Sequence, residues 1–460
     1  MPFDARAGQG GPSGPAPGRR IAIIGAGVAG LSAAWLLRER HEVVLYEADA
    51  RLGGHANTVD APGPNGAVIA VDAGFIVFNR PNYPNFTALA GHIGVGIDDT
   101  CMSFGASLDG GAVEYSGQSL ASLFANPRAI LDPAHWAMLR DLLRFNARAK
   151  TALKDGIRAD MSVADFVAEA GLSRAFVERF LIPFAAAIWS APSGTVLDYA
   201  ASAFLRFFSN HGLLQVLNMP VWNTVRGGSR RYVEALASDL AGAVRASTPV
   251  VAIERSGAGV EIVDANGGRD TFDDAVVACH ADDALKLIEA PTDAERQLLG
   301  AFRYQPNRAV VHADPSVMPT RRSAWSSWNY LGGGEGVAVT YWMNRLQNLG
   351  ADAPDVFVSL NPSTPIDTAR VIAAFDYAHP MFDVAAARAQ RLLWSLQGVD
   401  RLWFCGAYFG QGFHEDGLQA GLAVAEALGG MRRPWTVENE SGRIYLSAQV
   451  STGRREEAAS

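Results

Sequence analysis

Three glycines and one acid near the start of the chain have the spacing to hold a dinucleotide. The run Gly25-Ala26-Gly27-Val28-Ala29-Gly30 follows four apolar residues, Ile21 to Ile24, and Glu47 closes a second apolar run, His41 to Tyr46. Gly25 permits a tight turn, Gly27 lets a diphosphate approach the backbone, and Gly30 lets a helix lie close on a strand. The start of that helix supplies free N–H groups and a partial positive charge for the diphosphate. Glu47 accepts hydrogen bonds from ribose hydroxyls and repels a 2′-phosphate. The contacts expected here are Gly25, Ala26, Gly27, Ala29 and Gly30, with Glu47 and Ala48 at the ribose end.

This chemistry needs a strand ending at Ile24, a helix from about Val28 and a second strand ending at Glu47. The composition of residues 20–47 supplies that order, which is the context that gives G-x-G-x-x-G its meaning.

The next residues are Ala48-Asp49-Ala50-Arg51-Leu52-Gly53-Gly54-His55. Here the sequence resembles the flavin-containing amine oxidase superfamily, which includes carotenoid desaturases and protoporphyrinogen oxidases. Its members follow the ribose-binding acid with E-A-x-x-R-x-G-G-R. The resemblance implies a bound FAD, with Arg51, Gly53 and Gly54 along the diphosphate and flavin. His55 stands where arginine is usual. Val71 to Phe75 resembles the family's second flavin segment, which implies contacts from Asp72, Gly74 and Phe75.

Two later blocks agree. Residues 402–428 read as a short strand, a glycine-rich loop and a helix starting near Gly417, with Asp416 as its N-cap. Gly417, Ala420 and Gly421 would share a face open to a flat ligand. This resembles the family's C-terminal flavin motif, which implies roles for Gly406, Asp416, Gly417 and Leu418. A helix start there stabilises negative charge on the N1/O2 edge of the flavin. In the middle block, Val225 to Ser229 precedes a helix and a β-rich stretch, and Val251 matches the position whose backbone meets adenine.

The expected fold is therefore α/β: a Rossmann-like FAD-binding domain with an inserted α+β substrate domain. The FAD-binding domain draws on residues 19–90, 220–285 and 400–435. The substrate domain takes 91–219, mainly helical, and 286–399. Residues 1–18 and 436–460 read as tails.

The 460 residues are 49% hydrophobic, with 47 acids against 39 bases and a net charge of −8. That balance excludes a nucleic-acid binder. Cys101, Cys279 and Cys405 are isolated, so neither a disulfide framework nor a metal site is expected, and a cytoplasmic setting fits. No apolar run is long enough to cross a bilayer.

Amine oxidases of the superfamily carry a lysine in the β-rich part of the substrate domain. This chain has only Lys150, Lys154 and Lys286, and none lies between 300 and 350. Arginine stays charged and is no substitute for a proton-exchanging group. Desaturase-like members do without that lysine. Gly332 to Gly336 lacks the spacing of a second nucleotide site. His414, beside the C-terminal flavin loop, is the best acid–base candidate, ahead of Tyr304 and His312. The aromatics Trp325, Trp328, Tyr330, Tyr341, Trp342, Phe375, Tyr377 and Phe382 fit either a sheet core or a substrate tunnel.

Pro133 to Lys154 reads as a helix with Trp136, Leu139, Leu142, Leu143 and Leu153 near helical spacing. Arg140, Arg144 and Arg148 form a stripe, either a solvated face or one suited to an anionic membrane. The blocks DAGFIVFNRPNYPNF, MSFGASL, FLIPFAAAIWS, RAVVHADPSVMP and SAWSSWNY resemble a bacterial flavoprotein subfamily that accompanies cyclopropane-fatty-acid-synthase-like methyltransferases. That resemblance implies a desaturase acting on a methylated fatty acyl chain of a phospholipid, peripheral contact with the inner membrane, and a fatty-acyl methyltransferase as partner. Competing readings are an amine oxidase without the usual lysine, a redox-neutral flavin isomerase, and a non-catalytic flavin-binding partner of the methyltransferase.

Overall fold

The computed structural model describes residues 18–446 except Ala159, 190–195, His211, 216–219, Ala258 and 333–337. Most of both expected tails and most of the Gly332–Gly336 run lie outside the described residues.

The cofactor domain is built on β1 (Arg20–Ile24), α1 (Val28–Leu37), β2 (Glu42–Tyr46), α2 (Arg230–Ser238), β3 (Val244–Arg245), β4 (Asp274–Val277), β5 (Leu402–Phe404) and α3 (His414–Ala427). Its five strands are all parallel, in the order β3-β2-β1-β4-β5. A parallel sheet covered on both faces favours strands that are continuously apolar. The run Ile21-Ala22-Ile23-Ile24 is buried throughout.

Helix α1 is buried along all ten of its residues, because α3 covers it. A Cβ at Gly421 would stand 2.2 Å from the Ala29 carbonyl oxygen, and one at Gly417 would stand 3.1 Å from Val28. The small face of α3 therefore serves helix–helix packing, not a flat ligand as expected from sequence.

The substrate domain carries a seven-stranded sheet. Its order is Val371–Met381, Arg303–His312, Phe357–Leu360, Ala338–Trp342, Trp328–Leu331, Phe104–Leu108, Val113–Ser116. Every pairing is antiparallel except that of Trp328–Leu331 with Phe104–Leu108. The first insertion thus adds two strands to this sheet before its helices begin.

The helix Pro133–Asp155 buries Met138, Phe145 and Ala149. Trp136 and Leu143, of the apolar set at helical spacing, are exposed. The true inward face is fixed by Phe145, which meets Phe166, Phe176 and Phe208. Residues 436–446 are not a free tail. Ile444 joins the main core, and Arg443 bonds to Asp416 at 2.6 Å.

Among the described residues no helix is long and apolar enough to cross a membrane.

Candidate active site

The turn from β1 into α1 separates two kinds of glycine. At Gly25, with φ +102°, a Cβ would stand 2.9 Å from the Ala278 carbonyl oxygen, and at Gly30 it would stand 1.9 Å from that of Gly25. Both are required by the fold itself. At Gly27 a Cβ would meet nothing within 4 Å. The fold does not need that glycine; a ligand passing over the backbone does. Gly27 is also the N-cap of α1, with no side chain bonded to the free amides and no acid in the first turn. That leaves an anion site at the helix start.

Glu47 lies beside this turn. Its Oε2 accepts the Ala26 N–H at 2.8 Å and its Oε1 that of Asp49 at 2.9 Å. The carboxylate is held by one bond per oxygen and keeps lone pairs for ribose hydroxyls. The Gly53 N–H donates to the Ala26 carbonyl, which lays the second loop along the first. Arg51 gives its guanidinium to the carbonyls of Leu52, Gly54 and Ala56. These bonds shape the Gly53-Gly54 turn. Ala48 is exposed next to it, and Ala29 is buried beneath α3.

Val251 sits on the strand Val250–Arg255, where the register with Val260–Asp264 shifts between Val250 and Ala252. It is left out of the ladder and exposed. A bulge of this kind frees backbone groups for a planar ligand.

Asp72 departs from its expected role. Its buried carboxylate accepts from Ser229 N (2.9 Å), Ser229 Oγ (2.8 Å), Thr58 Oγ1 (2.6 Å) and Gln347 Nε2 (2.7 Å). Burial pushes its pKa up to about 6 against these bonds. It is a strut joining the Gly227-Gly228-Ser229 turn to the substrate domain. Gly74 is needed because a Cβ there would strike the His55 carbonyl oxygen at 2.2 Å. Phe75 stacks on His414, with ring centroids 3.9 Å apart and planes 7° from parallel.

The C-terminal block also differs in detail. Helix α3 starts at His414, and Asp416 is its third residue, not its N-cap. The Asp416 carboxylate accepts the Phe413 N–H at 2.8 Å and pairs with Arg443. Leu418 is core, and the tight turn at Gly406 lies against the Tyr408 ring. The backbone N–H groups of His414 and Glu415 have no acceptor among the described residues, so the open helix end sits at His414.

Around this end four histidines converge; His55 and His414 were marked by the sequence motifs, His280 and His379 by none. His55 lies 5.4 Å from His379 and 6.1 Å from His280, ring to ring, and stacks on Tyr377 at 4.8 Å. His280 stacks on Tyr304 at 4.4 Å. His414 shares a 2.6 Å hydrogen bond with the Tyr232 hydroxyl. Burial lowers the pKa of all four, to about 4 for His379 and about 3 for His414; neighbouring histidines add to the effect at His55 and His379. All are neutral at pH 7. The His55 Nε2 is buried without a partner. His312 takes no part: it is buried in the sheet on Ser359 and the Asp314 N–H.

The tautomer of His379 follows from the network. The Arg308 N–H must donate, so it fixes Asn361 Oδ1 as acceptor at 2.9 Å. Asn361 Nδ2 then donates to Asn307 Oδ1 at 2.7 Å, and Asn307 Nδ2 to His379 Nδ1 at 2.9 Å. His379 therefore carries its proton on Nε2. Asn307 is buried on the strand Arg303–His312. The lysines are elsewhere: Lys150 and Lys154 on the outer helix, Lys286 paired with Asp282 and Asp283. No sequence pattern marks the Asn361–Asn307–His379 line, because its members meet only across sheet neighbours.

The family description "Flavin containing amine oxidoreductase" matches residues 28–347. The chain belongs to this family. It is an FAD-dependent oxidoreductase, and FAD is its cofactor.

Solved structures share the fold of this flavoprotein. Cyclohexylamine oxidase from Brevibacterium oxydans IH-35A is 17% identical, with TM-score 0.64, over 90% of this chain and 100% of that one. Putrescine oxidase bound to putrescine is 14% identical, with TM-score 0.62, over 90% and 99%. A CLA-producing fatty acid isomerase from P. acnes is 16% identical, with TM-score 0.60, over 89% and 97%.

The residues of the flavoprotein fit FAD. The clear path over Gly27, the uncapped start of α1, the Val251 bulge, the orphaned His55 Nε2 and the open amides of His414 and Glu415 each offer what one part of it needs. When bound, FAD supplies a two-electron acceptor. Tyr232 holds the His414 ring in place, Phe75 stacks on that ring, and the amide line through Asn307 keeps His379 a donor.

Proposed function

We propose that this flavoprotein is a desaturase-type dehydrogenase of an apolar lipid, such as a methylated unsaturated fatty acyl chain of a phospholipid. With FAD bound, one C–H bond of the chain would give up a hydride to it and the adjacent carbon a proton to solvent water, leaving a new double bond. Oxygen, a quinone or a carrier protein then takes the electrons from the flavin.

The observation that carries this reading is a line of phenylalanines ending at the open helix end. Phe413 stacks on Phe207 at 5.5 Å, Phe207 meets Phe208 at 6.4 Å, and Phe208 meets Phe184 at 5.6 Å. Phe184 continues to Phe180 at 5.3 Å and Phe104 at 4.9 Å. Phe104, Phe180, Phe184 and Phe413 are only half-buried. Their partly exposed rings offer apolar surface against which an acyl chain can lie. The neutral histidines and the absence of a lysine between residues 300 and 350 point the same way. Association with a fatty-acyl methyltransferase, which would supply the methyl branch, belongs to the same reading.

A redox-neutral isomerase of unsaturated chains is the second reading, favoured by the fold shared with the fatty acid isomerase. The test is to incubate the FAD-loaded protein in air with methyl-branched unsaturated phospholipid and analyse the acyl chains by mass. Loss of two hydrogens supports the desaturase. A chain of unchanged mass with a moved double bond supports the isomerase instead. Turnover of amines alone overturns both.

A further inference from the structure

We infer that the outer face of the helix Pro133–Asp155, with the loop ahead of it, docks on an anionic phospholipid bilayer. Five of the most exposed large apolar side chains lie in this one segment: Leu131 (87%), Leu120 (82%), Leu143 (57%), Ile130 (56%) and Trp136 (51%). Trp136 Nε1 donates to the Ile130 carbonyl at 2.9 Å, and its ring lies 5.1 Å from Phe124. The loop tip and the helix start thus form one apolar cap.

Behind the cap the same helix carries Arg140, Arg144, Arg148, Lys150 and Lys154 against only Asp141 and Asp155, in a chain of net charge −8. Buried Asp141 holds Arg140 at 2.9 Å and Arg144 at 3.1 Å. Arg148, Lys150 and Lys154 are exposed and have no acidic partner among the described residues. An apolar end with an interfacial tryptophan, followed by free cations, matches the depth profile of an anionic membrane surface. A protein partner would need shape and paired polar groups; a bilayer needs only this order of apolar and cationic groups.

The inner side of the helix touches the phenylalanine line. Phe145 meets Phe208 at 5.9 Å. The docked face and the phenylalanine line then share one helix. That link to catalysis rests on the lipid-substrate reading; the docking itself does not.

The test is co-sedimentation of the full-length, FAD-loaded protein with vesicles of phosphatidylcholine, with and without phosphatidylglycerol. Two variants, Leu131→Ser/Trp136→Ser and Arg148→Glu/Lys150→Glu, are checked for an unchanged melting temperature. Binding to the anionic vesicles, weakened about tenfold or more by either variant and by raised salt, is the expected result. No binding by the natural chain, or binding that both variants keep, overturns the inference. So does self-association without vesicles that the variants abolish. Turnover of detergent-dispersed lipid separates the two proposals. If it persists without vesicle binding, only the docking fails; vesicle binding without any turnover sinks only the substrate reading.

Discussion

His379 Nδ1 accepts a hydrogen bond from Asn307 Nδ2 at 2.9 Å. The proton of the neutral ring is therefore on Nε2. Asn307→Asp would place a carboxylate, which cannot donate, against Nδ1. The pKa of His379, held down to about 4 by burial, is then expected to rise, and Nδ1 to take a proton. Nitrogen-15 spectra of the ring across a pH titration read both changes. A natural chain with Nδ1 already protonated would contradict the network.

Gly27 and Gly421 predict opposite consequences for the same substitution. Gly421→Ala puts a methyl 2.2 Å from the Ala29 carbonyl oxygen and 2.5 Å from Ser32 Oγ. It is expected to destabilise the apoprotein by about 1–3 kcal/mol or more. Gly27→Ala meets no protein atom, and its φ of −70° suits alanine. Apoprotein stability should change by less than about 1 kcal/mol, while FAD affinity falls. Thermal melts of the apoproteins with FAD titrations decide. Equal destabilisation by both would show that Gly27 serves the fold alone.

Asp72→Ala orphans the donors on Ser229, Thr58 and Gln347, of which Ser229 is fully buried. Removing a buried carboxylate from its donors costs about 3 kcal/mol. Asp72→Asn should cost less, since its amide oxygen still accepts from Ser229. The strut reading expects that order of melting temperatures in the apoprotein; losses seen only with FAD bound would make Asp72 a cofactor contact.

Much of the cofactor cradle was readable because its glycines, strands and acid are contiguous in residues 20–54. The same holds for the strand–loop–helix at the far end. What escaped was set by distant partners. Asp72 looked like a flavin contact because nothing in its neighbourhood shows Ser229 and Gln347 arriving from 157 and 275 residues away. The start of α3 was placed late because the Asp416–Phe413 capping bond puts an acid at the third position. Trp136 and Leu143 share the apolar helical spacing yet face outward, because hydropathy cannot tell a core face from one open to another surface.

Stability should fall as the pH drops below 6.5. His379 and His414 have folded pKa values lowered to about 4 and about 3, so below 6.5 the unfolded chain binds protons that the folded chain refuses. Each contributes about 1 kcal/mol of loss between pH 7.5 and 5.5. Asp72 and Asp274, raised to about 6 by burial, take up protons in the fold over the same interval and offset part of that loss. Melts of the apoprotein at the two pH values should show the lower melting temperature at 5.5. A higher one would mean that these histidines are charged in the fold.

The central claim is that an acyl C–H bond reduces the flavin, and anaerobic single-turnover mixing tests it directly. The FAD-loaded protein is mixed, without oxygen, with methyl-branched unsaturated phospholipid, and the oxidised-flavin absorbance is followed. Bleaching by the lipid, one flavin per new double bond, with no bleaching by amines, is the predicted result. A flavin that stays oxidised with lipid and bleaches with an amine would contradict the account.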